Sequence, residues 1–375
     1  MRLPKTHVEK ITTLFANEDF AYTLQAVELV DTLVDSEEDF MHFLESVRDC
    51  ELSNKLTIEE LTWVFEAYRD SKYYLGLWSF WKLVSWDSSR FRNTTSLRLI
   101  KRSLQALPKN IDSFPKLQEL LLRINRLATL PETFTSLQRL RTLDISENHF
   151  SVFPASLLEC RRLKKLNFTR NKLTEIPVDI SNLSQLYRFE LFQNRLQTLP
   201  ETFGALTSLK TLLLRFNQLE YLPESFGDLS SLDYCDLSEN ILDSLPESVG
   251  NLHILTMLNL GKNNLDGLPN SIYELSLLER LQLNDNQLTS LSESIGKLTN
   301  LRFLDLTNNP LINLPESIGK LSRLTRLDLQ GCPLTTLPAS LLNLQSLERL
   351  SIPIVNFDDK EIQALRQKLP NCIIN

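Results

Sequence analysis

An apolar residue followed by proline returns every 23 residues, at Pro108, Pro131, Pro154, Pro177, Pro200, Pro223, Pro246, Pro269, Pro315 and Pro338, with Ser292 in the one vacant place. Six residues ahead of these places stand Asn125, Asn148, Asn171, Asn194, Asn217, Asn240, Asn263, Asn286 and Asn309, and Cys332 takes the next one. A fixed period of this length, kept without an insertion, is the signature of a stacked repeat array. The full unit reads LxxLxLxxNxLxxLPxx[IF]xxLxx, as in residues 301–323. No single unit can bury its own apolar face, so neighbours must stack into one continuous core.

Each part of the unit has a physical task. The LxLxx piece alternates, which predicts a short strand with leucines inward and the intervening residues outward. Asparagine falls where the chain leaves the strand, and its amide can bond backbone groups that the turn would otherwise bury unpaired. Cys332 offers a weaker S–H donor at the same place. Proline fixes φ where no ladder needs an N–H. The [IF]xxL spacing buries two residues of a short helical or 3₁₀ turn. About twelve parallel strands at roughly 4.8 Å spacing predict a sheet about 50 Å long.

Over residues 94–355 the pattern resembles intracellular leucine-rich-repeat proteins with 23-residue, LPxxI-type units, similar to those of bacterial, plant Ras-group, Ras-suppressor-like and Scribble-like repeat proteins. The resemblance implies an α/β fold: a right-handed solenoid with a parallel sheet on its concave face, short helical or 3₁₀ turns on its convex face, and protein binding on the concave side. Residues 356–375 depart from the unit. Asp358 to Leu369 reads as one amphipathic helix with Ile362, Leu365 and Leu369 on one side, followed by Pro370, Asn371, Cys372, Ile373 and Ile374. That arrangement resembles the cap that closes many such solenoids. A longer period is also legible, since LLLRIN at 120–125 and DISEN at 144–148 return as LLLRFN and DLSEN after 92 residues, a trace of block duplication.

Residues 1–93 lack the repeat and read as an all-α N-terminal domain that caps the solenoid. Asn17 and Ser36 are placed to cap helices, and Thr57 with Glu60 forms a capping-box pattern ahead of a further apolar periodic stretch. All four tryptophans, Trp63, Trp78, Trp81 and Trp86, lie in this segment. They are expected to cover the open apolar end of the array; the alternative reading is an aromatic ligand groove.

Charge is distributed in three blocks. Residues 1–93 carry 10 Lys/Arg against 17 Asp/Glu, residues 94–217 carry 19 against 10, and residues 218–375 carry 11 against 20, for a total of −7. The overall acidity excludes a general nucleic-acid binder. No apolar stretch approaches a membrane span and no secretory signal opens the chain. Five cysteines stand far apart without a CxxC pair, which points away from a disulfide framework or a zinc site and toward a reducing, cytoplasmic setting. In that setting the sequons at Asn93, Asn167 and Asn182 are chance matches. The histidines share no motif, and no phosphate loop, metalloprotease or nucleophile-elbow signature occurs, so no enzymatic activity and no cofactor are expected. Asp144, Asp236, Asp305 and Asp328 share an outward strand place, but the first two are four units apart, and no metal site is expected from them.

The remaining signal is the set of outward strand residues. In successive units these are Leu121, Arg123 and Ile124; Lys165 and Arg170; Arg188 and Phe192; Leu213, Arg215 and Phe216; then Tyr234 and Met257. Arginine and aromatic residues are the types enriched at binding hot spots. Together with the +9 block they predict a protein partner with an acidic surface. The acidic second half of another copy is a candidate for that partner, in head-to-tail self-association. The expected function is a scaffold or adaptor that grips a protein on the concave face. The alternatives are a secreted effector or ligase-type protein that uses the repeats for substrate recognition, and a self-associating structural module. The ligase alternative would have to place its chemistry in residues 1–93, since the expected cap ends at Asn375, and those residues carry no catalytic motif.

Overall fold

The computed structural model describes residues 92–375, apart from Ser103 and Pro108, together with Lys10. Contacts divide the chain into two units, residues 1–88 and 89–375. The helical and tryptophan readings of the N-terminal segment lie outside the described residues.

One parallel sheet of 13 strands runs in chain order. Its strands are β1 (Ser96–Arg98), β2 (Glu119–Leu121), β3 (Thr142–Asp144), β4 (Lys165–Asn167), β5 (Arg188–Glu190), β6 (Thr211–Leu213), β7 (Tyr234–Asp236), β8 (Met257–Asn259), β9 (Arg280–Gln282), β10 (Phe303–Asp305), β11 (Arg326–Asp328), β12 (Arg349–Ser351) and β13 (Ile373–Ile374). From β1 to β12 every strand residue faces the one 23 positions on, as Leu212 faces Cys235 and Cys235 faces Leu258. The central residue of each therefore joins one buried column, in which Phe189 and Cys235 replace leucine. The expected turns between strands are five- or six-residue 3₁₀ helices, such as Glu201–Ala205 and Glu224–Asp228. All but Glu293–Lys297, which follows Ser292, begin directly after the repeat proline, where Pro200 holds φ −71° and Pro223 φ −67°. The apolar residue of each turn, Phe203 or Phe226, is fully buried.

The asparagine column ties the units together. Asn217 Nδ2 donates to the carbonyls of Leu214 (2.8 Å) and Leu191 (3.0 Å), while its Oδ1 accepts from the Leu196 N–H (3.1 Å). Asn240 repeats the set one unit on, with Leu237, Leu214 and Leu219. Each amide thus satisfies one carbonyl of its own unit and two backbone groups of the unit before. Cys332 keeps one bond of this set, from Sγ to the Leu306 carbonyl at 3.2 Å. The residue ahead of each asparagine adopts left-handed backbone geometry, from Ile124 (φ 58°) through Phe216 (φ 57°) to Asn308 (φ 57°), and Lys101 ahead of Arg102 and Gly331 ahead of Cys332 extend the series at its two ends. This turn is not visible in the residue pattern, because glycine, the type that favours it, stands there only once.

On the opposite side the 3₁₀ turns pack closely. A Cβ placed on Gly227 would lie 2.2 Å from the Ser248 carbonyl oxygen, so no larger residue fits there without the turns moving apart. Tyr273 occupies the equivalent place in one unit and is nonetheless buried to 2% exposure. Burial raises the pKa of its phenol, against a smaller lowering by the backbone N–H of Ser292. Ser292 is the one vacancy in the proline series. Ser292 Oγ also accepts from the Ser294 N–H at 3.1 Å.

Past β12 the helix Asp359–Lys368 opens on a capping box, in which Asp358 accepts from the Glu361 N–H (2.7 Å) and Glu361 from the Asp358 N–H (3.2 Å). It buries Ile362 and Leu365, and Leu369, its C-cap, is buried as well. The chain then returns as β13, which pairs with β12 and makes the sheet one strand longer than expected.

Replacing Asn217 with Ala leaves the Leu196 N–H unpaired in the interior and takes one of two amide donors from each of the Leu191 and Leu214 carbonyls, which Asn194 and Asn240 still serve, and equilibrium urea unfolding should register a loss of about 1–3 kcal/mol.

Candidate protein-binding face

The outward residues of the strands and of the turns that follow them form one open face. All twelve residues predicted for partner binding lie on it and none is buried. They extend from β2 to the start of β8, a distance of roughly 29 Å at 4.8 Å per strand. The structure separates them into groups. Leu121, Arg123 and Ile124 sit on and after β2, and Ser146 and Thr169 stand between Arg123 and Phe192 in the row that follows the strands. Lys165 and Arg170 flank β4, with the Lys165 ammonium 5.7 Å from the Tyr187 ring. Arg188, Tyr234 and Met257 begin β5, β7 and β8.

The tightest group follows β5 and β6. The rings of Phe192 and Phe216 meet edge to face at 5.6 Å between centroids. The Arg215 guanidinium lies 5.0 Å from the Phe216 ring and 5.9 Å from that of Phe192. Arg215 also pairs with Glu239 at 2.7 Å, and Lys262 reaches the same carboxylate at 3.3 Å. Phe216 is 41% exposed while its backbone is left-handed. Ile124 shares that backbone geometry. For bulky or β-branched residues this geometry is costly, and the fold gains no core contact from either side chain.

The positive block expected on this face is largely neutralised there. Arg188 pairs with Glu190, Arg215 with Glu239 and Arg170 with Glu147. Much of the surplus sits at and before the strand starts instead, in the exposed side chains of Arg139, Arg141, Arg162, Lys164 and Lys210. Sequence spacing assigned the cations to units; it did not show which had carboxylates across the strands.

The aspartate row serves the turns. Asp144 Oδ1 accepts from the Ser146 N–H and hydroxyl (3.0 and 2.6 Å), Asp236 does the same for Ser238, and Asp305 accepts from the Thr307 N–H. Asp328 accepts from the Ser351 hydroxyl at 2.8 Å and pairs with Arg326 at 2.7 Å. Among the described residues no group of three or more His, Cys, Asp or Glu is placed to hold a metal ion. Burial pushes the Cys160 thiol up to about 12, and it also raises Cys235, Cys332 and Cys372, so none of the four is a thiolate at neutral pH. Among the described residues no helix is long and apolar enough to cross a membrane.

A second feature of the face went unnoticed in the sequence. From β8 to β13 the strand starts line an open cleft of about 510 Å³, in which Phe303 lies between Arg280 and Arg326, 4.7 and 5.0 Å from its ring centroid. The signal was present in the outward places of the unit, but a block with net charge −9 drew no attention to its arginines.

Comparison with known proteins decides the family. Sequence profiles described as "Leucine rich repeat" match residues 115–173, 161–219 and 255–311, and one described as "Leucine-rich repeat region" matches residues 289–367. A solved leucine-rich-repeat protein of Leptospira interrogans is 30% identical, with 79% of this chain and 85% of that one covered and a TM-score of 0.59. The chain belongs to the leucine-rich-repeat family. Two receptor structures are also similar. A TDR receptor is 31% identical over 72% of this chain and 53% of its own, with a TM-score of 0.59. The plant peptide hormone receptor RGFR1, solved in complex with RGF2, is 27% identical over 70% of this chain and 48% of its own, with a TM-score of 0.56. This leucine-rich-repeat chain thus spans about half the length of these receptors. No functionally curated protein matches it.

Burial raises the pKa of the Asp305 carboxyl and the nearby Asp328 adds to the rise, outweighing the Thr307 hydrogen bonds and Arg326. The folded state therefore holds this proton more tightly than the unfolded state, and Asp305 detracts from stability once pH passes above its ordinary value of 3.8. Asp305→Asn keeps the Thr307 bond and should raise the melting temperature at pH 7. That gain should shrink as pH is lowered toward 3.8.

Proposed function

We propose that this protein is a cytoplasmic scaffold or adaptor that binds another protein on the concave, sheet-lined face of its solenoid and catalyses no reaction itself. The observation that carries the reading is the Phe192, Arg215 and Phe216 cluster. Two aromatic rings and a stacked guanidinium are held at the surface, with Phe216 on the left-handed turn that recurs in every unit whatever residue stands there. Aromatic and arginine anchors of this kind dominate interface energetics. Leucine-rich-repeat proteins typically serve as protein-interaction modules, and RGFR1, a relative of this chain, is solved with a peptide ligand. Free cysteines at 160, 235, 332 and 372 suit a reducing compartment.

The partner's surface is acidic in this reading, through contact with the cationic strand starts, while the rings provide the apolar anchor. The acidic region would speed encounter and the rings would slow release. Affinity capture on the full chain, followed by mass spectrometry, should return a partner whose recovery falls sharply with Phe192→Ala plus Phe216→Ala. Its dissociation rate, measured by surface plasmon resonance, should rise about 30-fold, the equivalent of about 2 kcal/mol. Unchanged recovery and unchanged rates in the double variant would remove the cluster from the interface.

A further inference from the structure

We propose that the cleft at the C-terminal end of the sheet is a separate site for an extended acidic peptide segment of a partner protein, whose carboxylate side chains engage Arg280 and Arg349 around the Phe303 ring. It does not rest on the phenylalanine cluster, which follows β5 and β6, whereas the cleft is lined from β8 to β13.

Three observations carry this. Arg326 and Arg349 stand directly opposite one another on β11 and β12, and Arg280 and Arg326 flank Phe303 on β9 to β11. Like charges at opposed places destabilise a sheet, and these outward places make no demand on the core. Secondly, the carboxylates at hand do not neutralise the set. Asp328 takes Arg326 at 2.7 Å and Glu279 takes Arg302 at 3.6 Å, but among the described residues no carboxylate lies within ion-pairing distance of Arg280 or Arg349. Thirdly, the Phe303 ring orients the Arg280 guanidinium, 4.7 Å from its centroid. A stacked guanidinium leaves its N–H edge free for bidentate bonds to a carboxylate.

The surroundings set the rest of the ligand. Met257 lines one end of the cleft and Ile373, 61% exposed, lines the other, so apolar residues at both ends of the acidic stretch have partners. Five strand spacings separate β8 from β13, roughly 24 Å, which about seven extended residues span. This cationic cleft lies within a block of net charge −9, so general basicity of the region does not account for it.

The test uses the full chain and a fluorescein-labelled peptide, Leu-Glu-Glu-Ser-Glu-Glu-Leu, amidated at its C-terminus so that only side-chain carboxylates are present. Fluorescence anisotropy should show saturable binding that weakens as salt rises. Arg280→Glu plus Arg349→Glu breaks no ion pair of the native protein and should weaken binding at least tenfold while the variant still unfolds in one cooperative thermal transition. Phe192→Ala plus Phe216→Ala should leave it unchanged. The proposal fails if the amidated peptide does not saturate, if a Lys-for-Glu peptide binds equally well, or if the arginine variant binds like wild type. A doubled mass in light scattering that the arginine variant abolishes would assign the cleft to a second copy of the chain and would equally overturn it.

Discussion

Each asparagine amide bonds backbone groups of two successive units, and the rest of the array follows from that sharing. The Asn217 side chain satisfies the Leu214 carbonyl in its own turn and the Leu191 carbonyl and Leu196 N–H of the preceding unit. A unit without its successor would bury an N–H unpaired and leave a carbonyl with one amide donor in place of two, as the Leu191 carbonyl would keep only Asn194. Length is therefore tightly held: an inserted residue would move the amide off three targets at once. The left-handed residue ahead of each asparagine turns the chain out of the strand, and it recurs whether that residue is Ile124, Phe216 or Asn308.

The turn side obeys a different constraint. Where glycine stands, one turn approaches the next closely enough that a Cβ would meet a carbonyl. Where Tyr273 stands instead, the ring is itself buried, and burial raises the pKa of its phenol.

The sheet face is where the fold makes the fewest demands, so its side chains are available for recognition. Carboxylates on the face are committed first: Asp144 and Asp236 to the turns after their strands, Glu190 and Glu239 to arginines. What stays uncommitted is informative. It comprises two aromatic rings packed with Arg215 after β5 and β6, and arginines without acidic partners around Phe303 near the C-terminal end. A family built for protein contact displays here two chemically different surfaces on one face, the first anchored by rings and the second by guanidinium edges.

The repeat length, the strand places, the buried leucine column and the asparagine ladder were all legible in the sequence, because a 23-residue period ties each residue type to one environment and the environment repeats. Six of the twelve outward residues, Leu121, Lys165, Arg188, Leu213, Tyr234 and Met257, were legible through strand alternation, and the other six, in the turns after the strands, through their fixed place in the unit. Partners were not legible. Some cations pair with carboxylates two residues on, as Arg188 and Glu190 do, and others with carboxylates one unit away, as Arg215 and Glu239 do, and composition sums over all of these pairings. The left-handed turn hid behind nine residue types at eleven positions, and the Arg280, Phe303 and Arg326 stack behind a net negative block. Periodicity determined the framework; only the stacking of one unit on the next decided which charges cancel and which remain to meet a ligand.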